Sequence, residues 1–233
     1  MAGVPTAPDS PEPSRLPPGR LLLLTDVDST LIRNEVIDLL ADEAGCGVEV
    51  ARVTERAMAG ELDFEQSLRA RVRLLAGLDE GALARAYGRV TYTPGAEVLM
   101  HTLRSYGHAT GIVSGGFTYF TDRFAAELGI DHAYANELEI VDGRLTGEVL
   151  GPVVDRARKA ALLREIAAVE QIPLERTVGV GDGANDIELI TTAALGIAFC
   201  AKPALREAAD VCIDEPDLAL VLPLLGMDPA LHP

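Results

Sequence analysis

The sequence predicts an α/β fold built on a mostly parallel sheet. Three apolar runs, Leu21 to Thr25, Ala109 to Val113 and Thr177 to Val180, each stop at a turn rich in Asp, Ser or Gly. Uninterrupted apolar runs of this length are typical of strands that are buried on both faces of a parallel sheet. Helical patterns lie between the runs, and the alternation of strands with helices indicates an α/β protein.

The remaining core elements continue this alternation along the chain. Leu195 to Phe199 and Val211 to Ile213 are two further predicted strands. The predicted core helices are Pro94 to Tyr106, Phe117 to Leu128, Arg156 to Val169, Asn185 to Ala194 and Pro203 to Ala208.

Two segments interrupt the alternation. Residues 36–89 show only helical patterns, so we expect a helical cap inserted after the first strand and placed over the sheet edge. Between Tyr134 and Glu148, alternating residues flank Asp142-Gly143, which predicts a small β-hairpin flap. We therefore divide the chain into a disordered tail at 1–20, an α/β core at 21–35 and 90–233, and the cap at 36–89.

Composition excludes several classes of partner. The 233 residues carry a formal net charge of −16, which disfavours nucleic acid and anionic membranes, because both attract basic surfaces. The first 20 residues hold six prolines and no apolar stretch of signal-peptide length, and no apolar run near the start could cross a bilayer. We expect a cytoplasmic protein that acts on a small molecule. The cysteines, Cys46, Cys200 and Cys212, are not spaced as metal ligands and are expected to be buried thiols.

The polar turns after the strands are expected to meet in one crevice. Ligands of open α/β sheets bind beyond the carboxyl ends of the strands. The residues that follow three of the predicted strands are Asp26 and Asp28, Ser114 and Gly115, and Asp182 and Asn185.

Three acids in that crevice predict a metal site. Asp26, Asp28 and Asp182 would repel one another, and an oxygen-only ligand set favours a hard cation such as Mg²⁺. An Asp-x-Asp pair alone is more often a solvated turn. The strand before it, Ser29-Thr30 after it and the Gly-Asp-Gly turn at 181–183 favour the metal site.

Two further features could bind phosphate. Ser114-Gly115-Gly116 precedes a predicted helix, whose N-terminal amides could donate to phosphate oxygens, although an ordinary turn with Ser114 as helix cap is the alternative. Lys159 could supply a fixed cation, although it could also belong to a solvated basic face.

The cap offers residues that could read an amino acid. Glu35 could bind an ammonium group, and the planar fork of Arg71 suits a carboxylate. Met58 and Phe64 could close over such a ligand, although they could also be cap core, just as Glu35 and Arg71 could be surface charges.

These motifs resemble those of the haloacid dehalogenase superfamily of phosphatases. The matching segments are Asp26-Val27-Asp28-Ser29-Thr30, Ser114-Gly115-Gly116, Lys159 and Gly181-Asp182-Gly183-Ala184-Asn185-Asp186. The cap segments at 34–35, 57–64 and 67–72, and the core segment 197–203, resemble the phosphoserine phosphatase family. The resemblance covers residues 21–225 and implies a Rossmann-like core, Mg²⁺ as cofactor and the last step of serine biosynthesis.

The resemblance also implies a role for each matching residue. Asp26 would attack phosphorus and form an aspartyl-phosphate, and Asp28 would protonate the leaving oxygen and then help to activate water. Mg²⁺ would lie on Asp26, the backbone carbonyl of Asp28 and Asp182, with Asp186 supporting this set. The residues implied to bind substrate are Ser114, Gly115, Lys159 and Asn185 at the phosphate, and Glu35, Met58, Phe64 and Arg71 around the serine portion.

Three other functions remain open at this point. A phosphotransferase that passes the phosphoryl group to another alcohol, such as homoserine, would share every catalytic motif. A phosphatase for another small phosphomonoester would differ at Glu35 and Arg71. A binding protein without catalysis is disfavoured, because Asp26, Asp28 and Lys159 are all present.

Overall fold

The computed structural model of the chain describes residues 16–228, which form an α/β fold around one seven-stranded sheet. Its strands β1 to β7 are Leu22–Thr25, Ala109–Phe117, His132–Val141, Arg144–Leu150, Thr177–Gly181, Leu195–Phe199 and Val211–Ile213. Their order across the sheet is β4-β3-β2-β1-β5-β6-β7, and every neighbouring pair is parallel except β3 and β4. The predicted mostly parallel sheet is thereby confirmed.

The helices of residues 16–228 lie largely where the apolar periodicity predicts them. They are α1 to α10, at Val36–Ala44, Gly47–Met58, Phe64–Arg73, Gly81–Tyr87, Ala96–Ser105, Thr118–Leu128, Arg156–Val169, Ile187–Thr192, Pro203–Arg206 and Val221–Leu224. The bounds of α7 equal the predicted ones. Within the described range no helix is long and apolar enough to cross a membrane.

The central strand β1 shows why its sequence is apolar throughout. Leu22 and Leu24 lie in one buried cluster with Leu163 of α7. Leu23 lies in the other main cluster, with Leu99 of α5. Because helices cover both faces, each successive side chain is buried, and no polar alternation is possible. The strand therefore positions the turn at Asp26 rigidly.

The helices α1 to α4 fill the range predicted for the cap. Within residues 36–89, one residue, Asp79, makes an isolated bridge to a strand. The two segments that connect these helices to the core run side by side, with an antiparallel bridge between Ile32 and Tyr92 and a hydrogen bond of 2.9 Å from Arg33 N to Thr91 O. This pairing brings the chain back to the core next to the point where it left.

The hairpin of β3 and β4 turns at the predicted Asp142-Gly143. Both residues have positive φ, 51° and 72°, as a tight two-residue turn between strands requires. The hairpin also contacts the loop between α3 and α4: Gly77 N donates to Leu145 O at 2.8 Å, and Leu145 N donates to Leu78 O at 2.9 Å. The edge of β4 is therefore paired with the cap.

Residues 16–20 pack on the core, although the sequence predicts a disordered tail up to residue 20. Leu16 is 8% exposed and belongs to the main apolar cluster. Arg20 donates to both Glu170 Oε2 and the backbone carbonyl of Glu170. The high proline content predicts an extended backbone. It does not predict that the side chains of Leu16 and Arg20 make contacts with the core. The remainder of the predicted tail, residues 1–15, lies outside the described residues.

Two local predictions were wrong. Strand β2 continues through Ser114-Gly115-Gly116 to Phe117 instead of ending at Val113. Cys200, which directly follows β6, and Cys212, in β7 at the edge of the sheet, are exposed instead of buried.

Candidate active site

One cavity of about 520 Å³ lies between the carboxyl ends of the strands and the cap. Its walls include most of the predicted site residues, namely Asp26, Asp28, Glu35, Met58, Phe64, Arg71, Gly115, Asp182 and Asn185. Two predicted residues, Ser114 and Lys159, lie behind the wall and are each 1% exposed. Sequence reasoning missed Arg156 and Lys202, which also line the cavity.

Lys159 joins two buried carboxylates at the base of the cavity. Its Nζ lies 2.5 Å from Asp26 Oδ1 and 2.6 Å from Asp186 Oδ1. Burial alone would lower the pKa of Lys159, but Asp186 and Asp26 outweigh it and raise the pKa above its usual value. Lys159 is therefore a charged ammonium and not part of a solvated basic face.

Asp26 is held at the end of β1 by the sheet itself. Its backbone N–H donates to Val180 O of β5 at 2.9 Å, which extends the pairing of β1 with β5 by one residue. Burial and the nearby Asp186 raise the pKa of Asp26, whereas Lys159 opposes the rise. An added cation would favour the ionised carboxylate further.

Asp26, Asp182 and Asp186 form a cluster that can hold a metal ion. One carboxylate oxygen of each lies within 4.8 Å of the others. Asp182 is 9% exposed, and burial raises its pKa to about 6. Three carboxylates with no nitrogen or sulfur ligand among them fit a hard divalent cation, which would offset their mutual repulsion. The sequence singled out Asp26, Asp28 and Asp182 for this role, and the resemblance gave Asp186 a supporting one; the cluster contains Asp186 in place of the Asp28 carboxylate.

Asp186 also holds the turn that carries Asp182. Its Oδ2 accepts from the backbone N–H of Asp182 at 3.3 Å and of Gly183 at 3.2 Å. A Cβ at Gly181 would come within 2.6 Å of the Asp186 carboxylate, so this position accepts only glycine without a shift.

The carboxylate of Asp28 points away from that cluster. Its Oδ1 accepts from Val36 N at 2.8 Å, and its Oδ2 accepts from the Ser114 hydroxyl at 3.1 Å. Burial, followed by the charge of Glu35, raises the pKa of Asp28 to about 7, against the opposing effect of the Val36 N–H. A carboxyl with this pKa can carry a proton near neutral pH, as a general acid requires.

Ser114-Gly115-Gly116 forms a bulge in β2 and not the start of a helix. The pairing with β3 runs from Val113↔Tyr134 to Phe117↔Asn136, so β2 holds two extra residues there. Gly116 N donates to the Ser114 hydroxyl oxygen at 2.7 Å, and α6 starts later, at Thr118. Ser114 is therefore not a helix cap, and the predicted helix-terminal amides do not belong to this motif.

Asn136 fixes the bulge from behind, and sequence reasoning missed it. Its Nδ2 donates to Gly115 O at 2.9 Å and to Gly116 O at 3.2 Å, while its Oδ1 accepts from Val154 N at 2.8 Å. Asparagine is depleted in strands, so an Asn within a predicted strand was the available signal.

On the cap side, two charged residues face the cavity. Glu35 accepts from the Ser29 hydroxyl at 2.7 Å. Burial lowers the pKa of Arg71, and Glu35 is the first of the acids that oppose this effect. Within residues 16–228, no carboxylate oxygen lies within 4.0 Å of an Arg71 nitrogen. Arg71 is thus available to an anionic ligand.

Met58 and Phe64 differ in their contacts. Met58 is 77% exposed at the mouth of the cavity. The Phe64 ring lies against Gly115, where an added Cβ would come within 2.7 Å of Cζ. Phe64 thus contacts the core, whereas Met58 is exposed to solvent at the mouth of the cavity.

Comparison with known proteins identifies the family. Residues 23–191 match the model of the haloacid dehalogenase-like hydrolases. The chain is 51% identical over 204 residues to a phosphoserine phosphatase of Streptococcus thermophilus, spanning 88% of this chain and 95% of the relative. It is 57% identical over 206 residues to one of Streptomyces coelicolor, again over 88% of this chain but only 50% of the relative's length.

Solved structures lead to the same family. A substrate-bound phosphoserine phosphatase complex superimposes with a TM-score of 0.83 at 47% identity, covering 88% of this chain and 98% of the other. A phospho-aspartyl intermediate analogue of phosphoserine phosphatase gives 0.82 at 48% identity, covering 87% and 97%. The chain therefore belongs to the haloacid dehalogenase-like hydrolases and, among them, to the phosphoserine phosphatase family.

Proposed function

We propose that this chain is a Mg²⁺-dependent phosphoserine phosphatase, which hydrolyses O-phosphoserine to serine and phosphate. The observation that carries the proposal is that one cavity brings Asp26 and Asp28 together with Glu35 and Arg71. The first pair supplies phosphoryl-transfer chemistry, and the second supplies one group for each charged end of an amino acid. Two relatives that are matched over 95% of their own length are phosphoserine phosphatases, which supports O-phosphoserine as the substrate.

In the first step, an Asp26 carboxylate oxygen attacks phosphorus and the bond from phosphorus to the serine oxygen breaks. Asp28 gives its proton to that oxygen, so serine leaves as a neutral alcohol. This assignment uses the two different environments: Lys159 and a metal ion in the carboxylate cluster would together favour ionised Asp26, whereas Asp28 lies outside that cluster and has a pKa of about 7. An ionised nucleophile and a protonated acid can then coexist.

In the second step, the ionised Asp28 takes a proton from water, which attacks phosphorus and releases Asp26. Because hydrolysis is divided into two displacements, the same two carboxylates, Asp26 and Asp28, can act in each of them. Asp28 regains its proton, which restores the starting state. Before substrate binds, the Ser114 hydroxyl, at 3.1 Å from Asp28 Oδ2, would keep this carboxyl aligned.

Mg²⁺ would be held by Asp26, Asp182 and the backbone carbonyl of Asp28, with Asp186 close by. A bound Mg²⁺ supplies charge neutralisation for the anionic nucleophile and the anionic ester. Lys159 adds a positive charge next to Asp26 from the buried side of the cavity. We further propose that Ser114, Gly115 and Asn185 contact the phosphoryl oxygens.

Residues 36–89 would act as a cap that excludes water during the first transfer. Glu35 would bind the substrate ammonium, Arg71 its carboxylate, and Met58 and Phe64 would close around the carbon skeleton. The division into this cap and a core at 21–35 and 90–233 is part of the proposal, as is a cytoplasmic location.

A phosphate-release screen over small phosphomonoesters, with Mg²⁺ and with EDTA, tests the proposal. We expect phosphoserine to be the preferred substrate, with release only in Mg²⁺, and Asp26→Asn to abolish it. Preference for another ester would overturn the substrate. Phosphorylated homoserine in excess over free phosphate, in a mixture with that acceptor, would favour a phosphotransferase instead.

A substitution in α3 tests the amino-acid end separately. Arg71→Ala should raise KM for phosphoserine far more than KM for phosphoethanolamine, which has the ammonium group but lacks the carboxylate. Arg73→Ala is the matched control, since Arg73 lies on the same helix and its side chain is 64% exposed. Equal losses on both substrates would show that Arg71 supports the fold only.

A further inference from the structure

The use of lysine in this chain is unusual. Of its 20 Lys and Arg residues, only two are lysines, Lys159 and Lys202, and both contact the carboxylates at the strand ends. The other residues of this set are all arginines. A compact ammonium on a flexible stem differs in geometry from a guanidinium fork. Since both lysines lie at the candidate active site, we expect the geometry of the ammonium to matter there.

Lys159 is already fully engaged, but Lys202 is not. Lys159 is 1% exposed and lies between Asp26 and Asp186. The Lys202 side chain is 65% exposed, and its Nζ lies 3.7 Å from Asp182 Oδ2, which is longer than a hydrogen bond. Within residues 16–228, the Lys202 ammonium thus makes only this long ion pair at the mouth of the cavity.

The backbone fixes the position from which Lys202 reaches. Lys202 N donates to Asp182 O at 2.9 Å, which joins the segment after β6 to the turn after β5. Cys200 has a positive φ of 44°, and Pro203 follows Lys202 and keeps it extended, with ψ at 153°. The Cα atom is therefore anchored beside Asp182, while the long side chain can turn.

The other cations of the cavity have different partners. Arg156 lies 3.0 Å from Glu188 Oε1. Arg71 lies on the cap and faces Glu35 and Asp38. Lys202 is thus the cation on the core side of the mouth that can follow a ligand without breaking a short ion pair.

We propose that Lys202 is a phosphate-binding residue, whose ammonium moves from Asp182 to a phosphoryl oxygen when the anionic ligand enters. The inference rests on the proposed function, because it deepens the phosphate end of the same site. It also explains how a chain of net charge −16 attracts an anionic ester, since a cation at the mouth raises the local concentration of anions.

Chemical labelling tests the contact directly. Because Lys159 is buried, Lys202 is the lysine that acetic anhydride can reach in the folded protein, and mass spectrometry of the peptide that contains it gives the rate. We expect inorganic phosphate with Mg²⁺ to slow the acetylation of Lys202 several-fold relative to Mg²⁺ with sodium chloride at the same ionic strength. An unchanged rate would overturn the proposal.

Substitutions test what the ammonium contributes. By titration calorimetry in Mg²⁺, Lys202→Gln should bind inorganic phosphate about tenfold more weakly, which corresponds to one lost charge-assisted hydrogen bond. Lys202→Arg should recover only part of this, and full recovery would contradict the requirement for lysine. Arg164→Gln is the matched charge control, since Arg164 bonds to Thr192 outside the cavity lining.

The two proposals can fail separately. Wild-type protein that releases no phosphate from phosphoserine would sink the proposed function, while labelling and phosphate titration would still report on Lys202. If the wild-type protein hydrolyses phosphoserine but Lys202→Gln and Arg164→Gln bind inorganic phosphate equally well, only the role of Lys202 is overturned.

Discussion

The ring of Phe64 lies directly on Gly115, so that the cap and the end of β2 meet without a side chain between them. A Cβ at position 115 would come within 2.7 Å of Phe64 Cζ. The glycine in this motif is therefore required by a cap residue as well as by any phosphate that approaches the backbone. This contact gives the first of four predictions.

Gly115→Ala should displace Phe64 and lower kcat/KM for phosphoserine by about tenfold or more, because small misplacements of positioning groups are costly in phosphoryl transfer. Steady-state kinetics measures the effect. Gly88→Ala is the control, since the nearest atoms to an added Cβ there lie at 3.5 and 3.6 Å. If both variants keep wild-type kinetics, the contact between Phe64 and Gly115 does not position the cap.

Asp28→Asn should lower kcat by about 10²- to 10⁴-fold, because an amide cannot pass a proton to the leaving oxygen. The amide can still accept from Val36 N–H through its oxygen, so KM should change little. Mass spectrometry of the variant must exclude deamidation. Retention of normal kcat would assign proton transfer to another group.

Lys159→Met should destabilise the protein in EDTA by about 3 kcal/mol, since it leaves Asp26 and Asp186 buried without their common cation. Urea unfolding measures this, and Mg²⁺ should restore part of the loss because a cation can lie among the same carboxylates. Arg158→Met is the control: its exposed pair with Glu165 should contribute less than about 1 kcal/mol. A loss that Mg²⁺ does not reduce would argue against a metal at Asp26.

The protonation of His108 should lower the stability of the protein on mild acidification, against the opposite effect of carboxyls whose pKa is raised, such as Asp28. Burial, followed by the charges of Arg176 and Arg20, lowers the pKa of His108 in the folded state. A group with a lowered folded pKa binds more protons when unfolded, so the free energy of unfolding decreases as the pH falls through its usual value of 6.5.

Urea unfolding at pH 7.5 and 5.5 measures this effect in the wild type and in His108→Gln. The variant removes the titrating ring at the position where Leu21 N donates to Nδ1 at 3.3 Å. Because the other titrating groups are common to both proteins, the free energy of unfolding at pH 5.5 minus that at pH 7.5 should be more positive in the variant than in the wild type. An equal or more negative difference would show that His108 does not lower the stability in acid.

Much of the fold follows from local sequence. The run Leu21 to Leu24 needs apolar neighbours on both faces, which only a central parallel strand offers, and Asp142-Gly143 has the two residues that a tight hairpin turn accepts. The convergence of Asp26, Asp28, Asp182 and Asn185 in one cavity follows from the rule that strand ends meet at one edge.

The rest depends on contacts between distant residues. Nothing local indicates that Asn136 supports Gly115 and Gly116 across the sheet, or that Asp186 shares Lys159 with Asp26. The direction of the Asp28 carboxylate depends on Ser114 and Val36, which come from different segments. These contacts form only when the chain has folded, and the periodicity of the sequence does not predict them.

The pairing of the hairpin with the loop at 77–80 has a consequence for building chimeric proteins. Two chain segments connect the cap to the core covalently. In addition, the loop at 77–80 of the cap is hydrogen-bonded to Leu145 and Gly143 of the hairpin. A cap transplanted from a homologue would leave the outer edge of β4 without partners unless its own hairpin were transplanted with it. Cap and hairpin therefore form one exchangeable module, although residues 90–131 lie between them in the sequence.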